Sequence, residues 1–369
     1  MNLVSARKAG DYKNRLCELT MASEFDNIVV TGLAAISAAG VGLEPLQEAL
    51  ADGVSRLTAV PEEVLGETGH FWGKATAFRA ADFMPPLKAR KFDRASLFAV
   101  VATGMALKSA GIDPGGFDPA RTGIMLGCGF GGIANSEEFL REYFTKGSDG
   151  LIPMLFPNTV PNAPASNASI EHGLKGPNVT FVQRFCSAES ALFMAMHLLE
   201  EGRADAMVVG GVDELNPAQM RGFMSMGQLS RYAGGFGEGA GLLVLERADH
   251  ARRRGARILA GVGGRRTVGL LVTGAEGEGV ARLLGGKAAA ELVSLSGTAA
   301  DVAPLLEPLS GVPRLETAPL TGRSLAMGGL ALVAHLLSLT DGAHGLHLAA
   351  SPEGPYYAFR FRGGDPAQS

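Results

Sequence analysis

Apolar and polar positions along the chain follow two periods. Short β-branched or aromatic runs predict strands at Ile28 to Thr31, Thr122 to Leu126, Asn178 to Gln183, Ala206 to Val209, Gly241 to Glu246, Ile258 to Val262 and Glu291 to Leu295, with two more near Leu346 and Tyr357. Apolar residues at helical spacing predict helices at Leu43 to Ala51, Arg94 to Gly111, Glu137 to Phe144, Ala163 to His172, Cys186 to Gly202 and Leu325 to Leu339. Strands that alternate with helices give an α/β architecture. Residues 1–26 read as an irregular tail. No repeat of about 20–50 residues is visible, which leaves room for a structural duplication beneath divergent sequence.

Composition narrows this picture. The 369 residues suit two or three domains, or one large duplicated one. Glycine, at 51 residues, is about twice as frequent as usual. These glycines sit inside apolar runs, so they predict tight turns and close backbone packing rather than a linker. A net charge of -4 gives no electrostatic basis for nucleic-acid binding. The three cysteines, Cys17, Cys128 and Cys186, form no C-x-x-C pair, which argues against a disulfide framework or a zinc site and fits a reducing, cytoplasmic setting. Residues 1–26 lack the apolar core of a signal peptide. The most membrane-like run, Ser324 to Thr340, falls short of the roughly 18 apolar residues that a bilayer span needs and contains His335, so no membrane partner is expected.

The chemistry-bearing stretch is the junction Gly176-Pro177-Asn178-Val179-Thr180-Phe181-Val182-Gln183-Arg184-Phe185-Cys186-Ser187-Ala188-Glu189-Ser190-Ala191. It is followed by Gly202-Arg203-Ala204-Asp205-Ala206-Met207-Val208-Val209-Gly210-Gly211 and by Gly237-Glu238-Gly239-Ala240-Gly241. Upstream stand Val30-Thr31-Gly32, Lys91-Phe92-Asp93-Arg94 and Phe156-Pro157-Asn158. In this order the segments resemble the β-ketoacyl synthases of the elongating, thiolase-like class. The resemblance covers residues 27 to 262 well and the remainder weakly. It implies a thiolase-like αβαβα five-layered duplicated fold, with an N-terminal half at 27–262 and a shortened C-terminal half at 263–369.

In that family a cysteine at a helix N-terminus takes the acyl chain as a thioester, its thiolate favoured by the helix dipole. Two histidines and a lysine serve the decarboxylative condensation, and the chain arrives on the phosphopantetheine of an acyl carrier protein, with no cofactor bound to the synthase. Anchored at Gly176-Pro177 and at Gly202, the match places Phe185 where the cysteine belongs. Cys186 falls one residue late, and one step along a helix turns a side chain by about 100°. Ser296 stands for the first histidine, Ala318 for the lysine and Arg323 for the second histidine. Arginine stays charged and exchanges no proton near neutrality. The seven histidines show no metal-ligand spacing. His197 and His335 read as core or rim residues, and His70, His172, His250, His344 and His347 as loop or helix-end residues.

Retained fold motifs beside these losses resemble the chain length factor, or ketosynthase β subunit, of type II polyketide systems. The resemblance implies a heterodimer with an active ketosynthase α subunit, formed through the strand Val179, Thr180, Phe181, Val182 and Gln183. It also implies a shared acyl tunnel faced by Ser136, Phe139, Leu140, Tyr143 and Phe156. The same aromatic stripe equally fits ordinary core packing. The clusters Lys88, Arg90, Lys91, Arg94 and Arg252, Arg253, Arg254, Arg257 suit an acidic carrier protein or a solvated helix face. Two further readings stay open from sequence alone: a synthase or acyltransferase with rearranged chemistry on Cys186, and a protein that binds an acyl chain or carrier protein without chemistry.

Overall fold

Ile28–Ser37 (β1) is buried at all ten positions, as a strand covered on both faces must be. The computed structural model of the protein describes residues 25, 27–113, 115–232, 234–271, 274–285, 290–296, 302–324, 326–351 and 354–364. After β1 come the helices Leu43–Asp52 (α1) and Arg94–Ser109 (α2), then Thr122–Cys128 (β2), Ile133–Lys146 (α3) and Ala163–His172 (α4). Asn178–Phe181 (β3), Ser187–Glu200 (α5), Ala206–Asp213 (β4) and Gly239–Arg247 (β5) complete the first half. The second half runs Ala260–Val268 (β6), Glu276–Leu284 (α6), Leu292–Ser296 (β7), Arg314–Glu316 (β8), Gly328–Ser338 (α7), His344–Ala350 (β9) and Tyr356–Gly363 (β10).

Hydrogen bonding links the strands in the order β8-β7-β9-β10-β6-β1-β5-β4-β2-β3. The two halves meet where β1 pairs antiparallel with β6, Ile28 opposite Val262. Three apolar clusters define five layers. One lies between α2 and α4 and the outer face of the first sheet, with Phe98, Ala102, Ala165, Ile124 and Leu242. The central one holds α5 and α7 between the two sheets, with Leu192, Met196, Leu332, Val333, Phe359 and Phe361. The third packs α6 on the far face of the second sheet, with Leu283, Leu295, Leu305 and Leu348. This is the thiolase-like αβαβα arrangement expected from sequence.

The glycine excess has a packing reason. A Cβ at Gly211 would lie 2.1 Å from the Ala326 carbonyl oxygen, and one at Gly241 would lie 2.2 Å from the Gly329 carbonyl carbon. Real Cβ contacts do not come that close, so only glycine lets α7 settle onto β4 and β5.

Several expected boundaries shift. The tail is described only at its end, where Phe25 is buried beside Gly261 and Gly263 rather than loose; residues 1–24 and 26, with Cys17, lie outside the described residues. The boundary drawn at 262 falls inside the continuous strand β6. His344 and His347, read as loop or helix-end residues, lie in strand β9. β3 stops at Phe181, short of Val182 and Gln183, because the Gln183 N–H turns to the Ser187 hydroxyl at 2.8 Å instead of a neighbouring strand.

Candidate functional site

The junction between β3 and α5 decides where each side chain points. Arg184 has φ of 50°, the one non-glycine residue with positive φ among the described residues. Ser187, the first residue of α5, donates its hydroxyl to the Arg184 carbonyl at 2.7 Å and accepts from the Gln183 N–H. This tight turn sends successive side chains into different cores. Phe185 joins Val60, Leu215, Met220, Phe223, Leu229, Tyr232 and Phe236. Cys186 joins the central cluster with Ala191, Leu192 and Met196. The Cys186 thiol is fully buried and donates to the Pro355 carbonyl oxygen at 3.4 Å.

Arg323 reaches the same aromatic cluster from the second half of the chain. Its guanidinium carbon lies 3.8 Å from the ring centroid of Phe185 and 3.8 Å from that of Tyr232. A cation against two desolvated ring faces is a favourable arrangement, worth roughly 0.5–2 kcal/mol per ring. The two rings meet edge to face at 5.7 Å, and Tyr232 meets Phe236 at 90°. The Arg323 backbone is fixed as well: its N–H donates to the Gly235 carbonyl at 3.0 Å, and its carbonyl accepts from the Gly237 N–H at 2.9 Å. Only 2% of Arg323 is exposed. Thus two of the positions singled out from sequence, far apart in the chain, fill one another's space.

The other two do not join this contact. Ala318 is buried at the start of the short helix Ala318–Thr321. Ser296 ends β7, fully buried, with no hydrogen-bond partner for its hydroxyl among the described residues. Its neighbours Gly297 and Thr298 lie outside the described residues.

Of the histidines, His347 bridges the Ser294 hydroxyl at 2.8 Å and the Glu189 carboxylate at 3.0 Å. All three are buried, between α5 and the second sheet. His335 is also buried without a hydrogen-bond partner among the described residues, and burial pushes its pKa down to about 3. Neither imidazole belongs to the Phe185 cluster. No group of three or more metal-ligating side chains occurs among the described residues.

The tunnel candidates sit on α3 and the turn after it. α3 buries none of its residues, so the core alternative for its aromatic stripe is not met. Phe139 and Phe156 face one another at 5.9 Å, and Ser136 donates to the Gly132 carbonyl at 3.0 Å. Leu140, Tyr143 and Phe156 are exposed, as is Phe144 at 79%. β3 is the last strand of its sheet, with Val179 and Val182 exposed beside it; Thr180 and Phe181 are partly covered.

Half of the basic residues noted from sequence are committed within the chain. Lys88 pairs with Glu171, Arg94 with the buried Glu238 at 2.7 Å, Arg253 with Asp249 at 2.8 Å and Arg254 with the buried Glu246. Spacing gives no signal for Tyr232, which caps the short helix Gln228–Arg231, or for Phe236, in the two-residue strand Phe236–Gly237, because elements this short carry no periodicity. No helix among the described residues is long and apolar enough to cross a membrane.

Comparison with known proteins agrees with this architecture. The family described as β-ketoacyl synthase, N-terminal domain, matches residues 25–251. The 3-oxoacyl-(acyl-carrier-protein) synthase 2 of Vibrio cholerae is 31% identical over 255 residues, 64% of this chain and 62% of that protein, so the match spans under two thirds of its length. The synthase of the same name from Staphylococcus aureus is 30% identical over 71% of this chain and 68% of its own. Two solved structures share the fold. The ishigamide ketosynthase/chain length factor superposes with a TM-score of 0.78 at 24% identity, covering 92% of this chain and 99% of that one. A type II PKS acyl-carrier protein in complex with its ketosynthase superposes with a TM-score of 0.76 at 21% identity, over the same shares. By the family match and these relatives, the chain belongs to the β-ketoacyl synthase family.

Proposed function

We propose that this chain is a catalytically degenerate ketosynthase subunit of the chain length factor type. It pairs with an active ketosynthase and shapes the tunnel in which a polyketide or specialised fatty acyl chain grows on the phosphopantetheine of an acyl carrier protein. The observation that carries the reading is the stacking of Arg323 on Phe185. The position of the nucleophile holds a hydrocarbon ring that forms no thioester, and the position of a histidine holds a cation that exchanges no proton near neutrality. With Ser296 and Ala318 at the remaining positions, the whole unit is replaced, and such groups act together rather than additively.

Two surface features favour a partner. The free edge of β3 offers unpaired backbone groups, which a second strand would satisfy. α3 exposes the large apolar side chains Leu140, Tyr143 and Phe144 within about one helical turn, a patch of the kind that marks an interaction site. Cys186 is a poor alternative nucleophile, since its thiol is buried and engaged with Pro355. Co-expression with an intact ketosynthase tests the reading. A one-to-one complex that condenses malonyl units, with neither subunit active alone, is the expected result. Condensation by this chain alone would overturn it.

A further inference from the structure

Two adjacent carboxyls at the end of β4 hold three separate stretches of backbone. Asp213 accepts from the Gly129 N–H at 2.6 Å with one oxygen and from the Ala326 N–H at 2.8 Å with the other. Glu214 accepts from the Ala134 N–H at 2.8 Å. Gly129 belongs to the turn after β2, Ala134 to the first turn of α3, and Ala326 to the turn just beyond Arg323.

First-turn N–H groups have no partner inside their own helix. The N-cap of α3 is Gly132, which offers no side chain, so the Ala134 N–H depends on an acceptor from elsewhere. Glu214 supplies it, and a carboxylate at this end of a helix is favoured by the dipole. Glu214 is 3% exposed, and its second oxygen is buried without a partner among the described residues. Its carboxyl is therefore committed to the helix rather than to solvent. Asp93, Glu238 and Lys74 are the charged groups that face it.

We infer that Glu214, backed by Asp213, is a positioning residue that clasps the first turn of α3 to the turns around the Phe185–Arg323 contact. It thereby sets the place of the apolar stripe on α3. The clasp stands on its own geometry; only its effect on chain length rests on the pairing proposed above.

Amide hydrogen exchange of the full chain, read on peptides spanning 130–146, tests the clasp. Glu214→Asp keeps the charge but shortens the reach, Glu214→Leu removes the acceptor, and Glu214→Gln keeps a carbonyl oxygen at the same reach. Exchange in the first turn of α3 is expected to speed by about tenfold in the Asp and Leu variants and to stay within about twofold in the Gln variant. Wild-type rates in Glu214→Asp would overturn the inference, even if Glu214→Leu failed to fold. In complex with an intact ketosynthase, Glu214→Asp is expected to broaden the distribution of product lengths, and Glu214→Gln to retain the parent one. An unchanged distribution in Glu214→Asp would overturn the link to the stripe. Failure to form any complex would instead count against the pairing and leave the exchange result standing.

Discussion

The guanidinium of Arg323 stacks on the ring of Phe185 at 3.8 Å, so two residues from opposite halves of the chain, which the proposed reading sets at catalytic positions, pack as a closed contact. A double-mutant cycle measures it. Phe185→Leu and Arg323→Met each remove one partner while keeping apolar volume. We expect a coupling of about 1 kcal/mol between them in urea unfolding. Additive effects would mean that the stacking contributes nothing.

On the proposed reading, a cysteine at position 185 is not enough to restore the reaction. Phe185→Cys leaves Ser296, Ala318 and Arg323 unchanged, and it removes a buried ring from a cluster that includes Met220 and Tyr232. Loss of a buried Phe side chain typically costs about 3–5 kcal/mol, which bounds the penalty here. The variant is expected to be destabilised and to show no condensation of malonyl-carrier protein. Measurable product from it would show that the other substitutions are tolerated.

Cys186 gives a direct comparison. Its thiol is fully buried, so iodoacetamide should label it only after denaturation. Cys186→Ala should leave the activity of a complex with an intact ketosynthase unchanged. Rapid labelling of the native chain would revive a nucleophilic role.

Helix α3 can be altered without unfolding the chain, because it buries none of its residues. Phe144→Glu is expected to shift the free energy of unfolding by less than about 0.5 kcal/mol while abolishing association with a ketosynthase in size-exclusion chromatography. An intact complex would remove α3 from the interface.

The acid pair at the end of β4 has a pH signature. Burial raises Glu214 to about 7 and Asp213 to about 6. For a carboxyl whose folded pKa is raised, the native state binds the extra proton, so its contribution is present at low pH and is lost as pH rises through the folded pKa. His335 and His172, both lowered by burial, pull the opposite way below their ordinary range. The difference between wild type and Glu214→Gln cancels these terms. Relative to the variant, wild type should gain about 1 kcal/mol of stability between pH 8 and pH 6. A flat or reversed difference would mean that Glu214 does not titrate there.

How much of this was legible in the sequence differs from one feature to the next. Spacing to Gly176-Pro177 and Gly202 gives the expectation that Cys186 stands one residue past the nucleophile's position; what the structure adds is that Phe185 and Cys186 lie in separate cores. The contact between Phe185 and Arg323 was not legible, because it joins two halves of the chain whose docking no local pattern encodes. Periodicity could not tell the α3 stripe from core, since both have the same spacing; only the absence of a covering element distinguishes them. The sequence pattern runs two residues past the end of β3 because Val182 and Gln183 continue it, while Ser187 draws the backbone into a turn. The Ser294–His347–Glu189 bridge has no sequence signal, because the pattern around His347 suits a loop or helix end, whereas β9 carries it into the interior.

On the proposed function this subunit holds no acyl chain covalently and acts through a partner. Mass spectrometry of the complex with an intact ketosynthase, trapped during turnover with acyl- and malonyl-carrier protein, tests it most directly. An acyl thioester on the partner's nucleophilic cysteine, and none on this chain, is the expected result. A thioester at Cys186, or on any other residue of this chain, would contradict it.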